Sequence, residues 1–234
     1  MRNMSIARHS THLQQLASDG FATISHILTE VECDQLLSFS IGLSTDSAGS
    51  RCLLHKQWCR DLVARMRADD RLKAVLPENF VAIQCIYFEK SLSRNWLVPV
   101  HQDLSIPVAA RVDHPALRGW SEKESALYVQ PPAELLERLI AVRLHLDPCT
   151  AADGPLQFIA GSHTQGRIDA VQASEWRRTR PLVTCTLERG DALLMHPLTL
   201  HASSKASGTS LRRVLHFVFG PPMLPYGLQW QDPV

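Results

Sequence analysis

His101 and Asp103 stand one residue apart in Val100-His101-Gln102-Asp103, at the end of a largely apolar run. Residues two apart on an extended chain point to the same side. One imidazole and one carboxylate can therefore face a single metal ion. A second imidazole from far along the chain completes a set of two histidines and one carboxylate and leaves the opposite face of the ion open. That is how non-haem Fe(II) is held for O2 and an organic co-substrate. His201 is the candidate for the distant ligand, since it follows the Gly190-Asp191 turn and an apolar run that a rigid strand can supply. Arg212 comes next, beyond the loop 203–210, on a further predicted strand. A buried arginine there can grip a dicarboxylate through two parallel hydrogen bonds, which lysine does less well. Metal ligands followed by such a clamp make a site for 2-oxoglutarate.

The neighbouring polar residues sort by their positions. His196 is close to His201 but lacks the matched spacing to Arg212, and His163 lies in a Gly-Ser turn and reads as structural. His145 shares one face of the alternating run 140–147 with Arg143 and Asp147, facing either solvent or a pocket. His216 falls on the same strand face as Arg212, while Arg213 falls on the other and reads as a surface cation. Gln102 points away from His101 and Asp103, which makes it a supporting or substrate-contacting residue. Gln84 is the one polar interruption in the apolar run 80–88 and needs partners if buried. It either satisfies backbone groups or reaches the site.

Helices must come first in the chain. Ser10 or Thr11 can cap a short helix carrying Leu13, Leu16 and Ala17, with Gly20 as its stop. Thr29 and Glu32 form a capping box ahead of Cys33, Leu36, Leu37 and Ile41, and Gly42 closes that helix. A polar loop over 44–50 leads to a helix with the stripe Trp58, Leu62 and Met66, and Asp69-Asp70 starts another that Pro77 ends.

From residue 80 the pattern turns to short strands between Gly/Pro turns, at 80–88, 95–101, 140–147, 156–159, 182–187, 192–196 and 212–219. Pro99 places its strand at an edge or bulge. The segment 105–132 carries Pro107, Pro115, Pro131 and Pro132 and reads as a long irregular loop, a lid or substrate-binding insert in which Trp120 and Tyr128 offer contact area. The expected fold class is mainly β with helical cladding (α+β), a jelly roll or sandwich behind N-terminal helices.

The chain has 234 residues, 45% of them apolar, and a formal net charge of +1, so bulk attraction to nucleic acid or an anionic membrane is not expected. No apolar run reaches membrane-spanning length and none follows Met1 as a signal core. The six cysteines form no C-x-x-C pair, which fits idle thiols in a reducing cytoplasm. There is no Gly-rich phosphate loop and no G-x-S-x-G elbow.

Several motifs together carry a resemblance: Trp96 through Asp103, Val142-Arg143-Leu144-His145-Leu146-Asp147, Asp153-Gly154-Pro155-Leu156, Gly161-Ser162-His163, Gly190-Asp191, His201-Ala202-Ser203 and Leu211-Arg212-Arg213. The sequence resembles the phytanoyl-CoA dioxygenase family of Fe(II)/2-oxoglutarate-dependent oxygenases over nearly its whole length. The resemblance implies a double-stranded β-helix core, with iron on His101, Asp103 and His201. It also implies 2-oxoglutarate on Arg212 with help from the Ser203 hydroxyl. Gln84 and Arg143 are added as candidate co-substrate contacts, and Gln102 and Trp120 as candidate substrate contacts. Asp153, Ala160 and Lys205 depart from the family's common residues, in turns. Because Asp103 is present, oxygenation and not halogenation is expected.

The expected layout is one domain over 1–234, with helices in 1–79, a β-helix core over 80–220, the lid at about 105–132 and a tail at 221–234. The expected reaction, with O2, is hydroxylation of a small molecule. Desaturation, epoxidation or cyclisation on the same cofactors, or a metal-binding jelly roll without redox chemistry, stand as alternatives. Arg111, Arg118, Lys123, Arg138 and Arg143 favour an anionic substrate, although solvated surface cations account for them equally well.

Overall fold

A computed structural model describes residues 2–41, 43, 49–209 and 211–234. The expected stop at Gly42, most of the polar loop after it and Ser210 lie outside these residues.

The first helix, α1 (Arg2–Asp19), begins well before the expected cap at Ser10 or Thr11. It ends where expected, at Gly20, whose φ of +85° is left-handed. A side chain there would also meet His163 Nδ1 and Thr199 Oγ1 at 2.5 Å, so both backbone and space require glycine. After β1 (Phe21–Ile24), α2 (Glu30–Ser40) opens with the capping box, Thr29 and Glu32 each accepting the other's backbone N–H. β2 (Gly49–Ser50) precedes α3 (Gln57–Ala68), which buries Cys59, Leu62, Val63 and Met66, and α4 (Asp70–Lys73), which Asp69 caps and which ends short of Pro77.

The remaining elements are β3 (Val81–Lys90), β4 (Val98–His101), β5 (Ile106–Val108), β6 (Arg118–Lys123), β7 (Ala126–Gln130), α5 (Ala133–Leu136), β8 (Ile140–His145), β9 (Leu156–Phe158), α6 (Ala170–Thr179), β10 (Val183–Thr184), β11 (Ala192–Met195), β12 (His201–Ser203) and β13 (Arg212–Gly220). Two antiparallel sheets face each other as a double-stranded β-helix, or jelly roll. The larger has the order β1-β11-β8-β13-β3-β2 and the smaller β10-β9-β12-β4. One face of the large sheet packs Leu144, Leu194, Leu215, Phe217 and Phe219 with Leu36, Leu62 and Met66 of the helices. Its other face sends Ile83, Leu193, Met195 and Val218 toward Leu156 and Phe158 of the small sheet. The site lies in this second layer.

Two expectations need correction. The insert at 105–132 is no irregular loop: β5, β7 and β6 form a three-stranded antiparallel sheet. Its hairpin turns on Glu124 and Ser125, both at positive φ, the backbone a two-residue turn requires even without the usual Asn-Gly. Between the expected strands, the residues around Trp176 add a helix, α6, with Asp169 accepting from Gln172 N at 2.8 Å as its cap. The run 140–147 is not half-buried, because β8 is a central strand and all six of its residues are buried. Pro99 does sit on an edge strand, β4, and the β4–β12 register shifts beside it.

The last residues close the sheet, with Val234 exchanging backbone hydrogen bonds with Ala82 and Trp230 Nε1 donating to Pro221 O. Five of the six thiols are buried, and all six are free. Among the described residues no helix is long and apolar enough to cross a membrane.

Candidate active site

His101 closes β4 and His201 opens β12, and the two are direct partners in the antiparallel ladder. Their rings lie 4.2 Å apart, centroid to centroid. Asp103 follows just past the strand end, held there by its own N–H, which donates to Pro197 O at 2.8 Å. Its carboxylate reaches His101 Nε2 at 3.5 Å and His201 Nε2 at 3.7 Å. The three ligand atoms all lie within 4.8 Å of one another.

The two imidazoles are also held in a state fit for a metal. His101 Nδ1 lies 2.9 Å from Pro99 O, and His201 Nδ1 lies 2.9 Å from Thr199 O. A carbonyl only accepts, so each Nδ1 carries the proton and each Nε2 is left with a lone pair toward Asp103. Burial pushes the pKa of His201 down to about 4, which keeps it neutral. Burial also works against the charge on Asp103, yet His201 and His101 hold its carboxyl well below the usual range. At His101 burial works the same way, but the Asp103 carboxylate outweighs it and raises the pKa, so an arriving ion competes with a proton there. With that proton displaced, two imidazole nitrogens and an ionised carboxylate are a donor set suited to a divalent ion with open positions.

A cavity of about 420 Å3 opens from this triad. Gln84, Arg143, Ser203 and Arg212, all expected at the site, line it, and so does His216. Arg143 and Arg212 are buried, at 8% and 4% exposure. Each has an Nε with no hydrogen-bond partner. Arg212 Nη1 donates to Gly154 O. Arg143 Nη1 lies 3.5 Å from His216 Nδ1, and its guanidinium sits 5.4 Å from the centre of the Phe88 ring. Burial, and then Arg143, push the His216 pKa down to about 3, so that ring is a neutral neighbour to the guanidinium. Two orphaned, buried guanidinium donors in one cavity mark a place where acceptors are missing.

Other expectations fare differently. The Gln102 side chain is spent: its Nε2 donates to Gly166 O and Leu198 O, and its Oε1 accepts from Ile168 N. It braces the loops around the site and has no amide group left for a substrate. Leucine at 102 would strand three backbone groups, so we expect a loss of about 2–4 kcal/mol in urea unfolding with substrate preference unchanged. Trp120 is not a cavity residue; it packs beside the inner apolar layer with Arg111 stacked on its ring. Tyr128, one strand over, lines the cavity instead, together with Lys123.

His145 faces neither solvent nor the cavity and is buried under Arg143 and Arg212, which add to burial in pushing its pKa well down. His163 and His196 stack in parallel at 5.1 Å and bond to Ala17 O and Leu139 O, so both are structural. Arg213 is no free surface cation but a two-pronged partner of Asp147, at 2.7 Å on each oxygen.

Lys90 was not anticipated. It closes β3 opposite Arg212 and is 1% exposed. Its Nζ donates to Ser203 Oγ at 2.9 Å and to Ser204 O at 2.6 Å. Nothing in Glu89-Lys90-Ser91 separates it from a strand leaving into solvent. The Ser203 hydroxyl, which accepts from Lys90, gives its one proton to Gly154 O at 2.8 Å. The expected role toward 2-oxoglutarate requires this hydroxyl to turn its proton from Gly154 O to the co-substrate.

The profile of the phytanoyl-CoA dioxygenase (PhyH) family matches residues 16–214. A search of curated protein sequences returns no match. Among solved structures, the chain is similar to the epimerase SnoN in complex with Fe3+, alpha ketoglutarate and nogalamycin RO, with 15% identity, a TM-score of 0.70, and coverage of 94% of this chain and 88% of that one. It is similar to the alpha ketoglutarate dependent carbocyclase SnoK from nogalamycin biosynthesis, at 16% identity and a TM-score of 0.64 over 96% and 92% of the two chains. HygX from Streptomyces hygroscopicus, with nickel, 2-oxoglutarate and hygromycin B bound, matches at 17% identity and a TM-score of 0.62 over 92% and 88%. At these identities the likeness establishes the fold.

Proposed function

The chain belongs to the phytanoyl-CoA dioxygenase family, and from that premise we propose that it is an Fe(II)- and 2-oxoglutarate-dependent oxygenase that hydroxylates a small molecule and releases succinate and CO2. The observation that carries this reading is the triad His101, Asp103 and His201, with both Nδ1 protons committed and both Nε2 atoms free. The orphaned Nε atoms of Arg143 and Arg212 in the adjoining cavity support a dianionic co-substrate.

Bound iron and 2-oxoglutarate supply the oxidising chemistry, with O2 as the other reactant. The chain's own residues position it. His101, Asp103 and His201 would hold the metal. Arg212 would orient the distal carboxylate, with Arg143 and Gln84 lining the same cavity. The β6–β7 hairpin sets Lys123 and Tyr128 at the cavity wall. Arg51 anchors that hairpin through its ion pair with Glu124 at 2.8 Å. Excluding water there protects the reacting centre.

The substrate reading is a small molecule that carries negative charge. With Arg212 and Arg143 assigned to the co-substrate and Arg51 paired with Glu124, Lys123 is the cavity-lining cation that supports this, and Asp103 is the one acid of the lining among the described residues. Neither a nucleic acid nor a membrane is required as partner, and the reaction is placed in the cytoplasm. The whole chain acts as one catalytic domain, with the three-stranded insert as part of the cavity wall. The similar structures include an epimerase and a carbocyclase, which favours a second outcome on the same cofactors, epimerisation or ring closure.

Anaerobic titration of the apoprotein with Fe(II) and 2-oxoglutarate tests the cofactor pair. A visible charge-transfer band that is lost in the His201→Ala protein is expected. Tight iron binding with no band on adding 2-oxoglutarate would make this a metal-binding jelly roll without redox chemistry.

A further inference from the structure

Lys90 is among the largest fully buried side chains, and the hydrogen bonds described for it go to neutral oxygens, Ser203 Oγ and Ser204 O. Burying an ammonium without a carboxylate costs stability, and a neutral side chain would tie two neutral oxygens more cheaply. The cost calls for a role that needs the charge.

Its surroundings supply one. Lys90 ends β3 directly opposite Arg212, the first residue of β13, in the large sheet. Ser203 ends β12 in the small sheet, and Gly154 lies in the turn before β9. Lys90 Nζ donates to Ser203 Oγ, Ser203 Oγ donates to Gly154 O, and Gly154 O also accepts from Arg212 Nη1. Lys90, acting through Ser203 of the small sheet, and Arg212 of the large sheet thus converge on one carbonyl, and Nη1 is pinned while Nε has no hydrogen-bond partner. The approach is close enough to dictate residue 154: a side chain on it would meet Ser204 O at 2.4 Å and Lys90 Nζ at 3.1 Å, at a φ of +62°.

We propose that Lys90 is the positioning residue for the dicarboxylate clamp: through Ser203 and the Gly154 carbonyl it fixes Arg212 to receive the distal carboxylate of 2-oxoglutarate. The proposal rests on the co-substrate assigned above. The two adjacent buried cations repel each other, and Asp153, the buried carboxylate that acts on Arg212, offsets this only in part, so the pocket is matched to a second carboxylate and not to a neutral chain end. The same strain is visible in Lys90 itself, whose pKa falls to about 8 through burial and then Arg212. Nζ also lies 5.3 Å from the centre of the Trp96 ring, a cavity wall, so its positive charge sits just behind the binding surface.

The test compares 2-oxoglutarate with 2-oxopentanoate, the same carbon chain ending in a methyl group, each titrated anaerobically into Fe(II)-loaded protein. In Lys90→Met the dissociation constant for 2-oxoglutarate is expected to rise about tenfold or more, the worth of one charge-assisted hydrogen bond. The affinities for 2-oxopentanoate and for the metal alone should hold. A residue that only supported the fold would weaken both 2-oxo acids together, and an unchanged ratio between them overturns the proposal. Should Lys90→Met fail to fold, Lys90→Gln keeps a donor to Ser203 Oγ without the charge and is read on the same ratio. Wild-type protein that binds neither 2-oxo acid beside the metal overturns the co-substrate assignment, and this proposal falls with it.

Discussion

Replacing Asp103 by alanine is expected to abolish succinate formation while lowering the stability of the fold only slightly. Asp103 is the single acid of the triad, and its carboxylate touches His101 and His201. The bond that places residue 103 in the fold is made by its backbone N–H to Pro197 O, which alanine keeps. Removing the side chain therefore takes away a metal ligand and its negative charge and little else. Residues that merely support a ligand typically change affinity or activity by about 10- to 100-fold. Loss of the ligand itself should exceed that, leaving two neutral nitrogens to hold a divalent ion. The urea midpoint should fall only slightly: the histidines hold this carboxyl's pKa down, so its charge adds some stability at neutral pH, but the side chain is 42% exposed and solvent screens the pairs. Succinate release, a metal titration and a denaturant melt on the same preparation separate these effects. Full turnover in the alanine protein would dismiss the triad; lost turnover with a collapsed melt would make Asp103 a structural residue.

The triad was legible because two of its members are adjacent in sequence. His101 and Asp103 lie two apart at a strand end, where alternation alone puts them on one side. His201 needed a partner pattern, and Arg212 on the following strand supplied it. The face of β13 was equally readable: His216 does share the cavity with Arg212, and Arg213 does point the other way. The capping box at Thr29 and the stop at Gly20 were legible for the same reason, since local hydrogen bonding and backbone sterics decide them.

What escaped the sequence depends on contacts between distant segments. Lys90 looks like an ordinary strand-end lysine, and such residues are almost never fully buried. Only the β3–β13 register brings it against Arg212, and only the small sheet brings Ser203 and Gly154 to it. The fate of the Ser203 proton follows from that lysine, so its role could not be judged without it. Gln102 was correctly turned away from the metal, but its three backbone partners come from residues 166, 168 and 198. The insert was misjudged for a different reason. Its prolines and mixed polarity hide the alternation, and its hairpin uses Glu124-Ser125 where a sequence reader looks for Asn-Gly.

Substituting Arg212 by lysine keeps the charge and is expected to raise the apparent KM for 2-oxoglutarate by at least about 30-fold, the factor corresponding to about 2 kcal/mol for a damaged buried charge pair. The arginine meets two demands at once: Nη1 holds Gly154 O while the rest of the guanidinium, with Nε unpartnered, lines the cavity. An ammonium is a single compact point and does not span both positions. It would also stand beside the ammonium of Lys90, already buried without a carboxylate. Repulsion between the two would push the new side chain away from its place or strip it of its proton. Once the co-substrate is saturating, kcat should recover most of its value, because the metal ligands are untouched. The KM for the substrate itself should move far less than that for 2-oxoglutarate. An unchanged KM for 2-oxoglutarate would make Arg212 a tie for the Gly154 turn. It would shift the clamp to Arg143, the other buried guanidinium with an unpartnered Nε in the same cavity.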